Sequence, residues 1–293
     1  MTNTISCKLT LLVLLCMLVC LPALSEDVQA LPLDFTPGHV ASPEGFTEDS
    51  FEDASMKVHM YREEVDGCTF NVAEVTIADP SQLRTAVTPK GKTNRISTLA
   101  RQNNAVVAIG GDYFRNEEGG YVVRMGEVYR KKPLKSRDML VIDANGDFHI
   151  LIRSDAAELK ALVESDPPIV NVFNFGPALV VDGELQAMPE KYNYNIRRPE
   201  PRCAIGQTGP LSYLLCVADG RRASSDGCTV EEMASFMHSK GCLQAYNLDG
   251  GNSALMVFNS ENYSAKSFEA ERSVSDIIYF ATAVDSGLDG ETP

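Results

Sequence analysis

The chain has 293 residues, of which 40 are acidic and 26 basic, and its formal net charge at pH 7 is −14. Nucleic acids and anionic membrane surfaces bind proteins through clustered Lys and Arg side chains. We therefore expect neither as a partner, and an anionic substrate would require cations concentrated at its binding site.

Residues 1–30 have the pattern of a secretory signal. A single basic residue, Lys8, precedes an apolar run over 9–24, and its roughly 16 residues fall short of the ~20 that usually span a membrane. Val28-Gln29-Ala30 then resembles a small-residue cleavage site. We expect a secreted or extracytoplasmic protein cleaved after Ala30. The alternative is an uncleaved signal anchor, and only then would this segment contact a membrane.

Composition divides the remaining chain into three parts. Residues 31–55 mix Pro, Gly, Asp, Glu and Ser with few periodic apolar positions, which is typical of a segment that cannot bury enough surface to order itself. We predict a flexible linker there. No later stretch has linker composition, so residues 56–286 are predicted to form one domain, followed by a C-terminal tail over 287–293.

Five cysteines follow the predicted signal, and none is part of a C-x-x-C pair, so zinc-knuckle and thioredoxin motifs are not indicated. Cys228 and Cys242 flank a predicted helix whose ends lie roughly 18 Å apart. A disulfide needs Cα atoms within about 7 Å, so we expect no bridge between these two. The five are Cys68, Cys203, Cys216, Cys228 and Cys242.

Short strand patterns outnumber helical ones and do not alternate regularly with them, which predicts an α+β fold with a mixed multi-stranded sheet and a few helices. Helices are predicted over 97–103, 156–164 and 229–240. In the last, Thr229 and Glu232 form a capping box. Strands are predicted over 58–64, 70–77, 83–87, 105–109, 121–124, 140–142, 148–152, 169–175, 179–181, 204–207, 212–218, 243–248, 255–259 and 276–283.

Three apolar strand patterns each run into glycine and a carboxylate. The carboxylates are Asp112, Asp219 and Asp249, and the neighbouring glycines include Gly111, Gly250 and Gly251. Glycine lets a backbone approach a ligand closely. A carboxylate at the end of a strand has its position set by the sheet. Asp-Gly and Gly-Gly are also ordinary turn pairs, so plain turns are the alternative.

Arginines accompany these turns. Arg221 follows the second carboxylate, while Arg202 and Arg272 each precede a predicted strand. A guanidinium can direct two donors at the oxygens of a phosphate, so these residues suit an anion-binding cleft. On an acidic chain the alternative for each is an ordinary surface ion pair.

Other chemistries are less well supported by the sequence. The four histidines (His39, His59, His149 and His238) are not spaced as metal pairs. A nucleophile elbow, a P-loop and a dinucleotide fingerprint are all absent from the sequence. Tyr192-Asn193-Tyr194 is a candidate loop for stacking on a sugar, with an ordinary surface loop as the alternative.

Taken together, six short segments between about 69 and 284 resemble those of the phosphodiester glycosidase family. No single segment is specific, but their order and spacing are. The overall pattern is most similar to bacterial members, which suits an exopolysaccharide or wall glycopolymer of the cell envelope as substrate. The segments are 108–114, 176–183, 201–206, 219–221, 247–253 and 271–272.

This resemblance implies hydrolysis at an anomeric carbon, with release of a phosphomonoester from a phosphodiester-linked carbohydrate. It implies Asp112, Asp219 and Asp249 as catalytic carboxylates and Arg202, with Arg221 and Arg272, as phosphate ligands. No cofactor is implied, although a divalent cation such as calcium or magnesium stays open. The remaining substrate contacts would be Gly111, Tyr113, Gly250, Gly251, Asn252 and Ser253.

The sequence also departs from the family pattern. Gly110 stands where members usually have Asn, and Asn252 and Ala254 stand where they usually have Gly and Ser. One alternative is therefore a glycan-binding protein of the envelope without turnover. Another is a metal-dependent phosphoesterase in which the three aspartates are oxygen ligands of a hard cation.

Overall fold

The structure is a computed structural model that describes residues 28–116, 119–153 and 156–288. It is an α+β domain dominated by sheet, as the sequence predicted. The described helices are α1 (Ile96–Gln102), α2 (Ala156–Val163) and α3 (Val230–Ser239), and short 3-10 turns cover Pro43–Gly45, Pro80–Gln82, Phe114–Asn116 and Gly251–Ser253.

The strands are mostly short; fourteen of them lie close to predicted positions, and six have no counterpart in the prediction. In chain order they are β1 Ser50–Glu52, β2 Met56–Val65, β3 Cys68–Ile77, β4 Leu83–Val87, β5 Asn94–Arg95, β6 Val107–Gly110, β7 Gly120–Arg124, β8 Glu127–Lys132, β9 Met139–Asp143, β10 Phe148–Leu151, β11 Ile169–Phe173, β12 Ala178–Val181, β13 Glu184–Leu185, β14 Arg202–Gly209, β15 Ser212–Ala218, β16 Gln244–Leu248, β17 Met256–Phe258, β18 Glu261–Asn262, β19 Ser273–Val274 and β20 Asp276–Phe280.

The strands form several sheets rather than one mixed sheet, and every pairing between the described strands is antiparallel. An eight-stranded sheet has the order β1-β2-β3-β15-β14-β16-β12-β13. Two five-stranded sheets have the orders β10-β9-β11-β7-β8 and β18-β17-β6-β20-β4, and β19 pairs with β5.

The eight-stranded sheet is buried on both faces. Alternate residues of β3 separate accordingly: Ala73 and Val75 join a core shared with the two five-stranded sheets, whereas Val72 packs on the side of α3. Since successive side chains of a strand point to opposite faces, this explains why the central strands read as nearly continuous apolar runs. The capping box of α3 is present as predicted, with Thr229 accepting from the amide of Glu232.

The segment over 31–55, predicted as a flexible linker, packs on the domain instead. The fully buried guanidinium of Arg84 donates to the carbonyls of Pro32, Asp34 and Thr36. Further along the segment, Phe51 is fully buried in β1. The prediction was wrong because backbone carbonyls held by one buried arginine order a segment that has few apolar residues of its own.

The expected signal lies largely outside the described residues, because only 28–30 of it belong to them, and so does most of the predicted tail over 287–293. Within the described part of the chain, none of the helices has the length and apolar character needed to cross a membrane.

Strand register brings the predicted functional segments to one region. In the pairing of β6 with β20, Gly110 is opposite Ile277, which puts Gly111 beside Asp276. In the large sheet, β14 lies between β15 and β16. Because both neighbours run antiparallel to β14, the turns that follow β15 and β16 emerge at the same end of the sheet.

Candidate active site

A buried guanidinium lies at the centre of this region. Arg124, at the end of β7, is fully buried. Its Nη2 donates to Asp112 Oδ1 at 2.6 Å and to Asp276 Oδ2 at 2.9 Å. Burial alone would lower the pKa of Arg124, but these two carboxylates raise it above its ordinary value. The three side chains therefore form a charged network that holds three sheet segments together.

Asp112 has little freedom to act as a base. Its Oδ1 also accepts from the amide of Phe114, and its Oδ2 accepts from the amide of Asn174 at 2.9 Å. The side chain is almost fully buried. Both carboxylate oxygens are thus occupied by protein donors, which favours a positioning role for Asp112 over the predicted catalytic one.

Gly111 is required by close packing. A Cβ at this position would overlap the carboxylate of Asp276. Its amide donates to the Asp276 carbonyl at 3.1 Å, and its carbonyl accepts from the amide of Asp249 at 3.2 Å. The glycine therefore joins the first and third predicted segments. Its amide is not free for substrate, contrary to the prediction.

The glycines of the third segment, Gly250 and Gly251, are also held by close packing against backbone. The amide of Gly251 donates to the Pro201 carbonyl at 2.8 Å, and a Cβ on Gly250 would lie only 2.7 Å from the same oxygen. These residues fold the turn tightly against the start of β14. The turn then presents its side chains, rather than the Gly251 amide, to the site.

Three buried polar atoms on this turn have no hydrogen-bond partner within the described part of the chain: Asn247 Oδ1, Asp249 Oδ2 and Ser253 Oγ. Leaving a buried polar atom unpaired costs roughly 1–3 kcal/mol. Most buried polar atoms in folded proteins are paired. Three such atoms within seven residues indicate a surface built to hydrogen-bond a ligand.

The orientation of Asn247 is fixed by its neighbours. Its Nδ2 donates to the carbonyls of Gly176 and Leu248, each at 3.0 Å, and to Tyr194 Oη at 2.8 Å. Because carbonyl oxygens only accept, the amide nitrogen must face them. The Oδ1 acceptor is consequently the atom left without a partner.

Asp249 is the carboxylate with the clearest signature of a reactive group. Burial raises its pKa to about 6, while the nearby Ser253 hydroxyl, which does not reach hydrogen-bond geometry, and the charge of Arg272 act in the opposite direction. Perturbed carboxylates in such settings are frequently functional. At neutral pH Asp249 is still largely ionised, so it can serve as a base or nucleophile.

Arg272 supplies the accessible cation. Its Nη2 donates to Tyr113 Oη at 2.7 Å, and its guanidinium lies 4.6 Å from the centre of the Tyr113 ring. Among the described residues, no carboxylate lies within 4 Å of Arg272. Tyr113 itself has φ of 60°, an uncommon left-handed conformation that indicates local strain next to the site. The two predicted residues thus form one unit beside Asp249.

Asp219 is turned away from this group. Its Oδ1 accepts from Asn71 Nδ2 at 2.8 Å and from the Ala265 amide at 3.0 Å. Burial raises its pKa, while the hydrogen bonds from the Ala265 amide and Asn71 and the charges of Arg222 and Arg62 act in the opposite direction. The turn after β15 reaches the expected end of the sheet, but these donors place the carboxylate in a separate hydrogen-bonded cluster.

Arg202, predicted to bind the substrate phosphate, is buried and hydrogen-bonded within the protein. It is 4% exposed. Its Nε donates to the Cys228 carbonyl, and its Nη2 donates to the carbonyls of Asn195 and Arg198. These bonds fix the loop over 195–200, so the guanidinium acts mainly as a brace for the loop.

Arg221 lies at the rim. Its Nε donates to Glu200 Oε2 at 2.6 Å, and its Nη1 donates to Asn252 Oδ1 at 2.7 Å. The Asn252 side chain, which departs from the family pattern, therefore positions Arg221 over Gly251. Both residues border the turn without entering the buried group around Asp249.

At Gly110, where members of the family usually have Asn, the packing leaves little room for a side chain. A Cβ at this position would lie 2.9 Å from the Ser253 carbonyl oxygen and 3.3 Å from Ile96 Cδ1. An asparagine therefore does not fit here unless the turn moves.

The three predicted metal ligands are not assembled. Among the described residues, there is no group of three or more His, Cys, Asp or Glu side chains arranged to hold a metal ion. Asp112 is engaged by Arg124, and Asp219 is engaged by Asn71. The hypothesis of a metal-dependent phosphoesterase therefore loses the ligand set on which it was based.

All five cysteines that follow the predicted signal are unbridged.

Sequence reasoning missed Arg124, Asp276 and Asn247 as components of the site. Arg124 ends an otherwise apolar strand and Asp276 begins another. A charge inside an apolar strand pattern was the available signal, because a buried charge requires a partner.

Comparisons with known proteins give one family match and several solved structures of similar fold. The sequence profile of one family, described as phosphodiester glycosidase, matches residues 103–281. This range is more than half of the chain and includes Asp112, Asn247, Asp249 and Arg272.

Solved structures share the fold. The catalytic domain of zebrafish N-acetylglucosamine-1-phosphodiester alpha-N-acetylglucosaminidase, auto-inhibited by its pro-peptide, superposes with a TM-score of 0.63 at 18% identity, over 85% of this chain and 87% of that one. A hypothetical protein from Synechocystis gives a TM-score of 0.51 at 17% identity, over 77% of this chain and 62% of that one.

One curated relative is a prophage-derived uncharacterized protein, YomE, of Bacillus subtilis. It is 27% identical over 195 residues, which cover 64% of this chain. The match spans about 30% of the length of that relative.

Proposed function

Because this chain belongs to the phosphodiester glycosidase family, we propose that it is a hydrolase that cleaves the bond between an anomeric carbon and a phosphodiester oxygen. The zebrafish protein of similar fold is named for an N-acetylglucosamine-1-phosphodiester. We take a sugar linked through its anomeric position to a phosphodiester as the substrate class. The protein would act outside the cytoplasm, on a glycan or glycopolymer of the envelope.

The observation that carries this proposal is the group of three unpaired buried polar atoms on the turn from Asn247 to Ser253. Asn247 Oδ1 is an acceptor for a sugar hydroxyl or an amide N–H. The Ser253 hydroxyl can donate to a ring substituent or a phosphate oxygen. A sugar phosphate supplies partners of both kinds, which an apolar or purely anionic ligand does not.

The charges fit the chemistry of the reaction. A phosphomonoester is a good leaving group, so charge stabilisation matters more than protonation of the leaving oxygen. Arg272, which has no carboxylate partner among the described residues, is the cation beside Asp249 and would bind the phosphate. Asp249 would attack the anomeric carbon or deprotonate the attacking water, since both roles need an ionised carboxylate. Water then gives its oxygen to the sugar, and the phosphate leaves as a monoester.

The test is hydrolysis of methyl N-acetylglucosamine-1-phosphodiester by the purified full-length chain in ¹⁸O-labelled water. Cleavage of the carbon–oxygen bond places the label in the released sugar, as we expect. Label in the phosphate would instead indicate attack at phosphorus and would contradict the proposal.

A second candidate, a glycan-binding protein without turnover, is favoured by the crowding at Gly110, where the family's asparagine has no space. In the same experiment this candidate gives saturable binding of the diester and no free sugar. Release of sugar at a rate that saturates with substrate would eliminate it.

A further inference from the structure

A cationic groove runs along the outer side of the site. Two adjoining hollows of about 490 and 430 Å³ share Lys266 and Glu269 in their linings. We call them together the basic groove. Its cations are Arg95, Arg101, Arg221, Arg222 and Lys266.

Most of these cations have no ion-pair partner among the described residues, although Arg222 Nη1 donates to the carbonyl of Lys266 at 2.7 Å. Among the described residues, no carboxylate lies within 4 Å of the side-chain nitrogens of Arg95, Arg101, Arg222 or Lys266. All four residues are exposed. On a chain with a formal charge of −14, exposed cations would ordinarily find acidic neighbours. Four exposed cations without an ion-pair contact on one lining create a local field that attracts anions.

The acidic residues of the groove leave this field in place. Glu271 accepts from the amide and hydroxyl of Ser97, at 2.8 and 2.6 Å, which fixes its position at the start of α1 but leaves its negative charge in the lining. Glu261 and Glu269 also line the groove. Arg221 is ion-paired with Glu200, so the lining carries four cations without an ion-pair partner against the three carboxylates of Glu261, Glu269 and Glu271.

The groove begins at the catalytic turn. Arg221 is bonded to Asn252, and the hydroxyl of Ser267 donates to the Gly251 carbonyl at 3.2 Å. The segment over 265–272 thus has two sides. Arg272 reaches Tyr113 beside Asp249, whereas Lys266 faces the groove. A ligand whose phosphate lies at Arg272 could continue past this segment into the groove.

We propose that the basic groove binds the anionic continuation of the substrate on the phosphate side of the cleaved bond, a chain of phosphodiester-linked units. This inference rests on the proposed function. A repeating phosphodiester offers one negative charge per unit to a row of separated cations. The ring of Phe268, 65% exposed on the same lining, offers a face on which a sugar or polyol unit can pack. A single small aglycone would not reach these residues.

The test compares Lys266→Gln and Arg101→Gln with Lys160→Gln, a control that removes a charge that is also exposed, on α2. Each protein is assayed on the methyl diester and on a sugar linked to oligo(glycerol phosphate). Exposed charge contacts contribute about two- to fivefold in affinity each. We expect KM for the oligomer to rise by that factor in both groove variants, with KM for the methyl diester and the control unchanged.

Equilibrium binding of fluorescent oligo(glycerol phosphate) is measured in parallel and separates this inference from the proposed function. Weaker binding in the groove variants without any turnover by the wild type would uphold the groove and refute the enzyme. Turnover of both substrates, with oligomer binding equal in all four proteins, would refute the groove alone. A salt dependence that is steeper for the oligomer than for the methyl diester would further support it.

Discussion

Arg124 donates to Asp112 at 2.6 Å with both side chains almost completely buried. Removing one partner of a buried ion pair leaves an uncompensated charge, which costs far more than the pair contributes. The carboxylate that the sequence presents most prominently, in the Gly-Gly-Asp segment, therefore belongs to the framework of the site. Its loss should first affect folding.

The first prediction concerns Asp112→Asn. We expect it to lower the free energy of unfolding by about 3–5 kcal/mol, because Arg124 keeps only Asp276 as a counter-charge. Urea denaturation followed by circular dichroism measures this change. Asp66→Asn, in an exposed turn between β2 and β3, is the control and should change little. Equal urea midpoints for Asp112→Asn and Asp66→Asn would contradict a stabilising role for the buried network of Arg124, Asp112 and Asp276.

The second prediction concerns the pH dependence of stability. Burial raises the pKa of Asp249 to about 6 in the folded protein, above the ordinary value of about 3.9. The folded state then binds the proton more tightly than the unfolded state. This contribution is complete below about pH 4 and is lost as pH rises through about 6.

Asp249→Asn removes this titration. We expect the variant to gain about 1–3 kcal/mol relative to the wild type between pH 4 and 7, measured as the difference in urea unfolding at the two pH values. A difference that does not vary with pH would show that Asp249 titrates normally.

The third prediction separates two arginines. Arg202→Ala should lower stability by several kcal/mol, because it removes hydrogen bonds to three buried or partly buried carbonyls at about 1–3 kcal/mol each. Arg272→Ala should leave unfolding nearly unchanged and reduce kcat/KM by a factor of about 100 or more. The sequence had led us to expect the activity loss from Arg202. If Arg202→Ala instead lost activity but kept its stability, and Arg272→Ala lost stability but kept its activity, Arg202 would again be the expected phosphate ligand.

The fourth prediction tests Gly110. Substitution by the family's asparagine, Gly110→Asn, places a Cβ 2.9 Å from the Ser253 carbonyl and should cost about 1–3 kcal/mol in stability. It should also lower kcat by displacing the catalytic turn. Gly209→Asn is a matched control because nothing lies within 4 Å of its added Cβ. Higher activity in Gly110→Asn would mean that the turn adapts readily.

Much of the fold was predictable because its central strands are continuous apolar runs. β4 and β15 occupy the predicted residues, and α3 begins after the predicted cap. Edge strands were missed. β8, Glu127–Lys132, is largely exposed and charged, so its pairing depends on β7 rather than on any apolar pattern of its own.

The site was predictable as a set of segments but not as a set of roles. The turn over 249–253 lies beside the pair of Tyr113 and Arg272, whereas Asp219 and Arg202 are engaged elsewhere. Which carboxylate is free depends on its neighbours: Arg124 engages Asp112, and Asn71 engages Asp219. These partners are 12 and 148 residues away in sequence, and no local pattern indicates the pairing.

The central claim is that the turn carrying Asp249 and Ser253 is the reaction site. The most direct measurement is the initial rate of sugar release from methyl N-acetylglucosamine-1-phosphodiester at pH 7 by wild type and Asp249→Asn, both checked to be folded. We predict a loss of about 10²–10⁴-fold in kcat for the variant. A folded variant that releases sugar at the wild-type rate would contradict the account.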